Sequence, residues 1–234
     1  MVGLTDRVQF VEGNPTLRRG GVPVAEVERR ARSGEGLDLV ASSLQIEPHD
    51  VFAAFAFLGL GPAGSEGPGL VQSRLDRPWI AEIFSDDALE SIIPGASRAR
   101  RLCVAAGFLQ IHDHWDASHD AAQQAEDRGE RRLSAYWHGV AHRREPDAGN
   151  AAYWFRRVGR DPLFRELAEA AGPLVGGGAD MPDGVIRGGS WDPFAFIDLC
   201  AAARPGSPSS ETARRLQRLE MDLLLSETLA GITA

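Results

Sequence analysis

The sequence predicts a mainly α-helical protein, either a multi-helix bundle or a helical-hairpin domain, preceded by a small N-terminal unit that combines helices with a little strand. Apolar residues recur at helical spacing over most of the chain after Ser97. Strand-like segments fall before Val24. The 234 residues are 43% hydrophobic with a net charge of −8, which suits one large domain or one domain with a small appendage.

Composition divides the chain into a small accessory domain over residues 1–60, a linker over 59–71 and an all-α domain over 72–234. The linker contains GLGPAGSEGPG, a glycine- and proline-rich composition typical of flexible connections. In the N-terminal unit, Asn14-Pro15 and Gly20-Gly21 break up short apolar segments and predict turns. A second glycine-rich stretch, Gly172–Asp192, predicts a long loop of the kind that covers binding sites.

Several enzyme classes are excluded by what the sequence lacks. All 25 cationic residues are arginine, so neither a Walker A phosphate loop nor a lysine Schiff base is available. Gly-x-Ser-x-Gly, His-Glu-x-x-His and Cys-x-x-Cys are also absent. We therefore expect no nucleotide cofactor. The acidic balance, with a pI of about 5.3, argues against broad nucleic-acid binding.

The cysteines and the apolar runs predict a soluble, cytoplasmic protein without a membrane segment. Cys103 and Cys200 lie far apart in apolar surroundings, as reduced thiols do. The longest apolar run, Val51–Leu60, is shorter than the ~20 residues that a membrane-spanning helix needs. The N-terminus shows no basic-then-apolar leader.

Most of the residues that could bind a ligand or take part in a reaction lie between His112 and Arg160. This stretch contains five of the six histidines and three of the five tryptophans. Between Arg131 and Arg160, seven arginines face only two acids, although the whole chain is acidic. This composition predicts a site for a metal, for an anion, or for both.

Histidine spacing predicts one divalent transition metal, Zn, Fe or Mn, at a helix–helix contact. His138 and His142 are spaced i, i+4 and share one helix face, which Glu145 extends. Asp116 and His119 are spaced i, i+3 on the preceding helix, so His119, His138 and His142 are the predicted ligands. Glu145 or Asp116 would act as catalytic base. In the alternative, these histidines only hydrogen-bond to carboxylates and carbonyls or cap a helix.

Arginine pairs and aromatic residues nearby predict binding of a small anionic ligand. A guanidinium group binds carboxylate or phosphate through two hydrogen bonds. Cations at helix C-termini also stabilise the helix dipole, and aromatic residues at helical spacing also pack in cores, so structural roles stay open. The predicted ligand-binding residues are Trp137, Arg143, Arg144, Tyr153, Trp154, Arg156 and Arg157.

The N-terminal unit resembles the small antitoxin-like winged-helix family found beside ribonuclease toxins. Asn14-Pro15, Arg19-Gly20, Pro23-Val24 and the Asp50–Ala54 segment carry this resemblance, which covers about a quarter of the chain. The family implies binding to DNA or to a partner. Residues 1–65 hold six arginines and eight acids, so we favour an accessory or dimerisation module over a DNA reader.

A second resemblance covers about a fifth of the chain, from Tyr136 to Gly159. The block Trp137-His138-x-x-x-His142-Arg143-Arg144-Glu145, followed by Asn150-Ala151-x-Tyr153-Trp154, is similar to the signature of an uncharacterised family of bacterial and fungal proteins. Ala148 departs from that family, which usually has an aromatic residue there. The resemblance implies no particular activity.

The sequence leaves three functions open, and with them the question of whether the protein is an enzyme. The leading hypothesis is a pocket that binds a metal, a small anionic ligand or both, in a metal-dependent hydrolase or lyase. The second is a non-catalytic, tetratricopeptide-like helical module that binds an acidic protein partner. The third is an antitoxin-like regulator. A homo-oligomer is compatible with each of them.

Overall fold

A computed structural model describes residues 2–73, 77–175 and 184–232. The N-terminal part begins with a 3-10 helix, Leu4–Arg7, and an antiparallel hairpin of β1 (Val8–Val11) and β2 (Asn14–Leu17). Three helices follow: α1 (Val24–Arg32), α2 (Leu37–Leu44) and α3 (Pro48–Leu60).

Among the described residues after α3, the regular structure is helical apart from one small hairpin. Its elements are α4 (Ile80–Ile83), α5 (Asp86–Ile92), α6 (Arg98–Ile111), α7 (Trp115–Asp127), α8 (Arg132–Arg144), α9 (Ala148–Val158), α10 (Leu163–Val175), β3 (Ile186–Arg187), β4 (Ser190–Trp191), α11 (Pro193–Ala202) and α12 (Pro208–Leu229). The predicted mainly α fold class is confirmed.

The turn of the first hairpin lies two residues earlier than the Asn14-Pro15 turn that the sequence predicts. Glu12 and Gly13 occupy the turn with φ values of 50° and 82°, while Asn14 already pairs with Val11. Two consecutive positive φ values match the right-handed twist of a hairpin, and glycine adopts them at low cost. Pro15 tolerates a strand position because a two-stranded hairpin has only edge strands.

The glycine-rich stretch after α10 is less loop-like than predicted. Helix α10 continues through Gly172 to Val175, and β3 pairs with β4 between Ile186 and Trp191. The prediction of a loop over Gly172–Asp192 is therefore wrong at both ends. Its middle, 176–183, lies outside the described residues.

The core joins the two predicted domains. The rings of Phe84 and Phe108 stack with centroids 4.4 Å apart, and Phe52 of α3 contacts Phe108 at 5.5 Å. Near the N-terminus, the Thr5 amide and hydroxyl donate to the buried Asp222 carboxylate of α12, at 3.0 and 2.6 Å. The boundary at 59–71 stays a prediction, but residues on both sides of it share one apolar core.

Two glycines let the helices around α8 approach closely. A Cβ on Gly107 of α6 would lie 2.6 Å from the Trp137 ring, and one on Gly139 of α8 would lie 2.7 Å from the Phe155 ring. Only glycine fits such contacts without displacement. These contacts set how α6 and α9 lie against α8, which carries most of the predicted site.

Among the helices of the described residues, we find none with the length and apolar character required to cross a membrane.

Candidate functional site

Three histidines from two neighbouring helices meet, as the spacing predicts. His119 comes from α7, while His138 and His142 lie one turn apart on α8. The ring centroid of His119 is 4.9 Å from that of His138 and 5.2 Å from that of His142, and the two α8 rings are 6.3 Å apart. We call these three residues the histidine cluster.

Two tryptophans enclose the histidine cluster. The Trp154 ring of α9 lies parallel to the His138 ring with centroids 3.9 Å apart. On the other side, Trp115 stacks on His119 at 5.1 Å, and its indole N–H donates to the Ala141 carbonyl at 2.8 Å. Sequence reasoning missed Trp115, although its i, i+4 spacing from His119 on one helix could have revealed it.

Hydrogen bonds orient the two α8 imidazoles through their Nδ1 atoms. His138 Nδ1 lies 3.1 Å from the Ser134 carbonyl oxygen, so we assign the proton to Nδ1, which donates. His142 Nδ1 lies 2.8 Å from a Glu145 carboxylate oxygen, and the same assignment holds. Both rings therefore have Nε2 available as an acceptor. His138 Nε2 is buried and has no hydrogen-bond partner among the described residues.

Burial keeps two of the imidazoles neutral. The pKa of His138 is lowered to about 3, mainly by burial and further by the positive charge that His119 and His142 can carry. The pKa of His119 is lowered by burial and then by His142, although this side chain is 29% exposed. A neutral imidazole offers its lone pair at neutral pH without first losing a proton.

A second group of candidate ligands adjoins the cluster. One ligand atom each of His142, Glu145 and Asp147 come within 4.8 Å of one another, which is closer than the three histidines approach in the described residues. Asp147 also caps α9, accepting from the Asn150 amide at 3.0 Å, and this hydrogen bond lowers its pKa. His142 belongs to both groups.

Asp116 does not join the histidines. It is exposed in the first turn of α7 and lines a separate surface depression with Asp113 and His114. Helix α7 directs His119 toward α8, whereas the Asp116 carboxylate stays at the surface and acts on His119 only through its charge, which slightly opposes the lowering of the His119 pKa by burial. The catalytic role predicted for Asp116 gains no support from this position.

Arg143 and Arg144 point away from the histidines into the interior. Arg143 donates to the buried Glu220 carboxylate of α12 at 2.5 Å. Arg144 is fully buried, pairs with Asp113 and donates to the Gln110 carbonyl at 2.7 Å. Their predicted anion binding beside the histidines is therefore not what the geometry favours. Sequence reasoning missed Glu220, 77 positions away from Arg143.

Trp137 also packs in the interior instead of lining the site. Its ring is fully buried and its indole N–H donates to the Thr228 hydroxyl at 3.2 Å. The neighbouring Tyr136 donates to Glu220 at 3.2 Å, and burial raises the pKa of Tyr136 well above its usual value. Neither side chain lines the histidine cluster.

Three of the four other predicted ligand-binding residues line a surface pocket beside the cluster. This pocket has a volume of about 570 Å³ and includes Tyr153, Trp154 and Arg157. The Arg157 guanidinium lies 5.2 Å from the Trp154 ring centroid and pairs with Glu126 of α7. Trp154 thus lies between the pocket and His138. Arg156 is exposed and does not line the pocket.

Comparison with family models, with curated proteins and with solved structures found no match to this chain. The resemblance of residues 136–159 to a bacterial and fungal family, and that of the N-terminal unit to antitoxin-like winged-helix proteins, stay predictions.

Proposed function

We propose that this protein binds one divalent transition metal ion through His119, His138 and His142. The observation that supports this most is the state of His138, whose Nδ1 is held by the Ser134 carbonyl while its buried Nε2 has no partner. Metal-binding histidines commonly give one ring nitrogen to a carbonyl or carboxylate and the other to the metal. His142 repeats this arrangement with Glu145.

Imidazole nitrogens favour zinc, iron, copper or nickel over magnesium and calcium, so zinc is the ion to test first. The His138 and His142 rings are one helical turn apart and nearly parallel, at 12° between planes. His119 is the most exposed of the three, at 29% against 10% for His142 and 0% for His138, and so has the most room to rotate. The proposal requires such a rotation to bring a His119 nitrogen to the two imidazoles that α8 holds in place.

The reaction class we propose is metal-assisted hydrolysis or lyase chemistry. Three imidazole ligands leave a position for water or a substrate oxygen, which is the arrangement of catalytic zinc sites. The adjacent pocket of about 570 Å³ offers space for a small substrate, with the Trp154 ring available for a planar group. Arg157 on the same wall already pairs with Glu126, so a negative group on the substrate would have to share this guanidinium. Glu145 orients His142 in this proposal and lies near enough to accept a proton.

Zinc titration by calorimetry of protein stripped with a chelator tests the proposal. We expect one zinc per wild-type chain and at least a hundredfold weaker binding for His138→Ala. His119→Ala removes a partly exposed side chain, so it should weaken zinc binding without unfolding the protein. His49→Ala, outside the cluster at the start of α3, is the matched control.

Asp147→Asn distinguishes a metal at the histidine cluster from a metal at the second group, which contains Asp147. Asparagine keeps the helix cap but removes the carboxylate. We expect zinc affinity within twofold of the wild type for this variant. Equal binding by wild type and His138→Ala, or a loss of binding in Asp147→Asn alone, would refute the cluster as the metal site.

A further inference from the structure

Arg143 has more hydrogen-bonding capacity than its partners use. This side chain at the end of α8 is 1% exposed and donates through Nη2 to Glu220. Its Nε and Nη1 atoms are buried without a hydrogen-bond partner among the residues that the structure describes. Leaving a buried donor without an acceptor is unfavourable, so this position favours a bound acceptor.

A crevice opens directly onto Arg143. Its volume is about 50 Å³, and its walls come from residues 70–71, from the α8–α9 turn and from α11, including the Cys200 thiol. Val71 at its edge is 53% exposed, so the crevice opens to solvent. The walls are apolar apart from Arg143 and Cys200. Arg143 is therefore the charged group in a lining that is otherwise mostly apolar.

The start of α9 favours an anion at the crevice. Ala148, the first residue of α9, lines the crevice, and a helix N-terminus carries partial positive charge. Burial raises the pKa of Cys200 to about 12, so its thiol stays neutral and does not compete as an anion. The Asp147 carboxylate is turned toward Asn150 instead and does not line the crevice.

Size and charge narrow the ligand class. A volume of about 50 Å³ holds roughly four water-sized atoms, which fits a carboxylate group with one or two carbons. Glu220 already neutralises the single charge of Arg143, so a ligand gains the free Nε and Nη1 hydrogen bonds rather than a free charge, and one negative charge is accommodated more easily than two. The apolar walls suit a short hydrocarbon tail. We infer that this crevice binds a small monocarboxylate, with its carboxylate on Arg143 and its tail against α11.

The site is separate from the histidine cluster. Arg143 and His142 are adjacent in sequence, yet their side chains leave α8 in different directions, one to α12 and the other to Glu145. Carboxylate binding therefore requires no metal. Failure of the zinc titration would leave this inference intact, and the reverse also holds.

Nuclear magnetic resonance of the arginine Nε–H groups tests the inference on the full chain. Sodium acetate and sodium propionate are titrated at constant ionic strength, with sodium sulfate as comparison, and the Arg143 signal is assigned with Arg143→Lys. We expect a saturable shift of the Arg143 Nε–H signal with acetate and propionate but not with sulfate.

Two neighbouring alanines of α11 provide a matched pair of variants. Ala201 lines the crevice, whereas Ala202 is exposed outside it. Ala201→Leu should fill the opening and weaken acetate binding at least tenfold, while Ala202→Leu should bind as the wild type does. No saturable shift in the wild type, an equal shift with sulfate, or unchanged binding in Ala201→Leu would overturn the inference.

Discussion

A single buried carboxylate, Glu220, organises much of the interior around the predicted site. It accepts hydrogen bonds from Tyr136 and Arg143, and the Phe196 ring lies 4.4 Å from the Arg143 guanidinium. Removing one partner of a buried ion pair leaves a charge with neither water nor a counter-ion. The packing of α8 against α12 therefore depends on both charges.

We predict that Glu220→Gln lowers the free energy of unfolding by about 3–5 kcal/mol. The double variant Glu220→Gln with Arg143→Met should regain part of this loss, because no uncompensated charge remains. Urea denaturation measures both. Glu169→Gln is the control, since its pair with Arg165 is exposed and should change stability by less than about 1 kcal/mol. Equal losses for Glu220→Gln and Glu169→Gln would contradict the structural role of the pair.

A substitution of Glu145 tests whether this residue orients the His142 ring. Its carboxylate accepts the Nδ1 proton, which directs Nε2 toward the cluster. Removing such an orienting group typically weakens metal binding by about 10- to 100-fold. Glu145→Gln should therefore reduce zinc affinity by that factor in a competition assay with a chromogenic chelator. Unchanged affinity would mean that Glu145 does not orient a metal ligand.

At the scale of elements, the close approach of α9 to α8 determines where Trp154 lies over the histidine cluster. Gly139 allows the Phe155 ring of α9 to contact the α8 backbone, and the preceding residue on α9 is Trp154, which covers His138. A change at Gly139 therefore reaches the metal site indirectly, through the position of α9.

We predict that Gly139→Ala destabilises the protein by about 1–3 kcal/mol through overpacking, despite the better helix propensity of alanine. It should also weaken zinc binding, because α9 has to move. Gly149→Ala is the matched control on α9, where the nearest atom to the new Cβ is 3.5 Å away. Thermal denaturation and zinc titration of the two variants check this. A stable Gly139→Ala with normal zinc affinity would contradict the argument.

Local patterns predict the helices and their caps better than they predict how the helices meet. Helical spacing after Ser97 predicts α6, whose first turn Ser97 caps by accepting from the Arg100 amide. The i, i+4 histidines of α8 share a face, as the sequence predicts. Helical spacing alone does not give the angle of α8 about its axis, so the inward direction of Arg143 could not be read from it. The partner that draws Arg143 inward, Glu220, is distant in sequence.

The sequence predicts the loops less well than the helices, because their structure also depends on packing between distant residues. Glycine content indicated a long loop after Ala171, but helix α10 extends past Gly172 and the β3–β4 hairpin uses Gly188 and Gly189 in its turn, with φ values of 57° and 75°. Glycine marks a turn as readily as an open loop. Only the packing of the hairpin, with Trp191 buried against Phe196, distinguishes a tight turn from an open loop here.

At the scale of the whole molecule, polar contacts bind the N-terminal unit to the rest. His112 ends α6 and its Nε2 lies 3.1 Å from the Phe55 carbonyl of α3. Arg218 of α12 donates to the Thr5 hydroxyl at 2.7 Å. We therefore predict a single cooperative unfolding transition, seen in both circular dichroism and tryptophan fluorescence. Two separate transitions would instead support independent domains on either side of 59–71.

The same His112 contact makes stability depend on pH. Burial, followed by the charge of Arg77, lowers the pKa of His112 to about 3, against about 6.5 in the unfolded chain. Between these values the unfolded state binds more protons, so stability falls as pH decreases. The contribution is about 2 kcal/mol between pH 7 and pH 5.

His112→Asn should reduce this difference by about that amount, measured by urea denaturation of metal-free protein at pH 7 and pH 5. The comparison uses the change between the two pH values, so the constant loss of the Phe55 hydrogen bond cancels. An unchanged pH dependence in the variant would contradict the assignment of a neutral, buried His112.

The central claim, a metal held by the histidine cluster, is tested most directly by anomalous scattering at the zinc edge from crystals of the zinc-loaded protein. We predict one strong peak between α7 and α8, at about 2.0–2.1 Å from His138 Nε2 and from a nitrogen of His142 and of His119. A peak held by Glu145 and Asp147 without His138, or no peak near α8, would contradict the account.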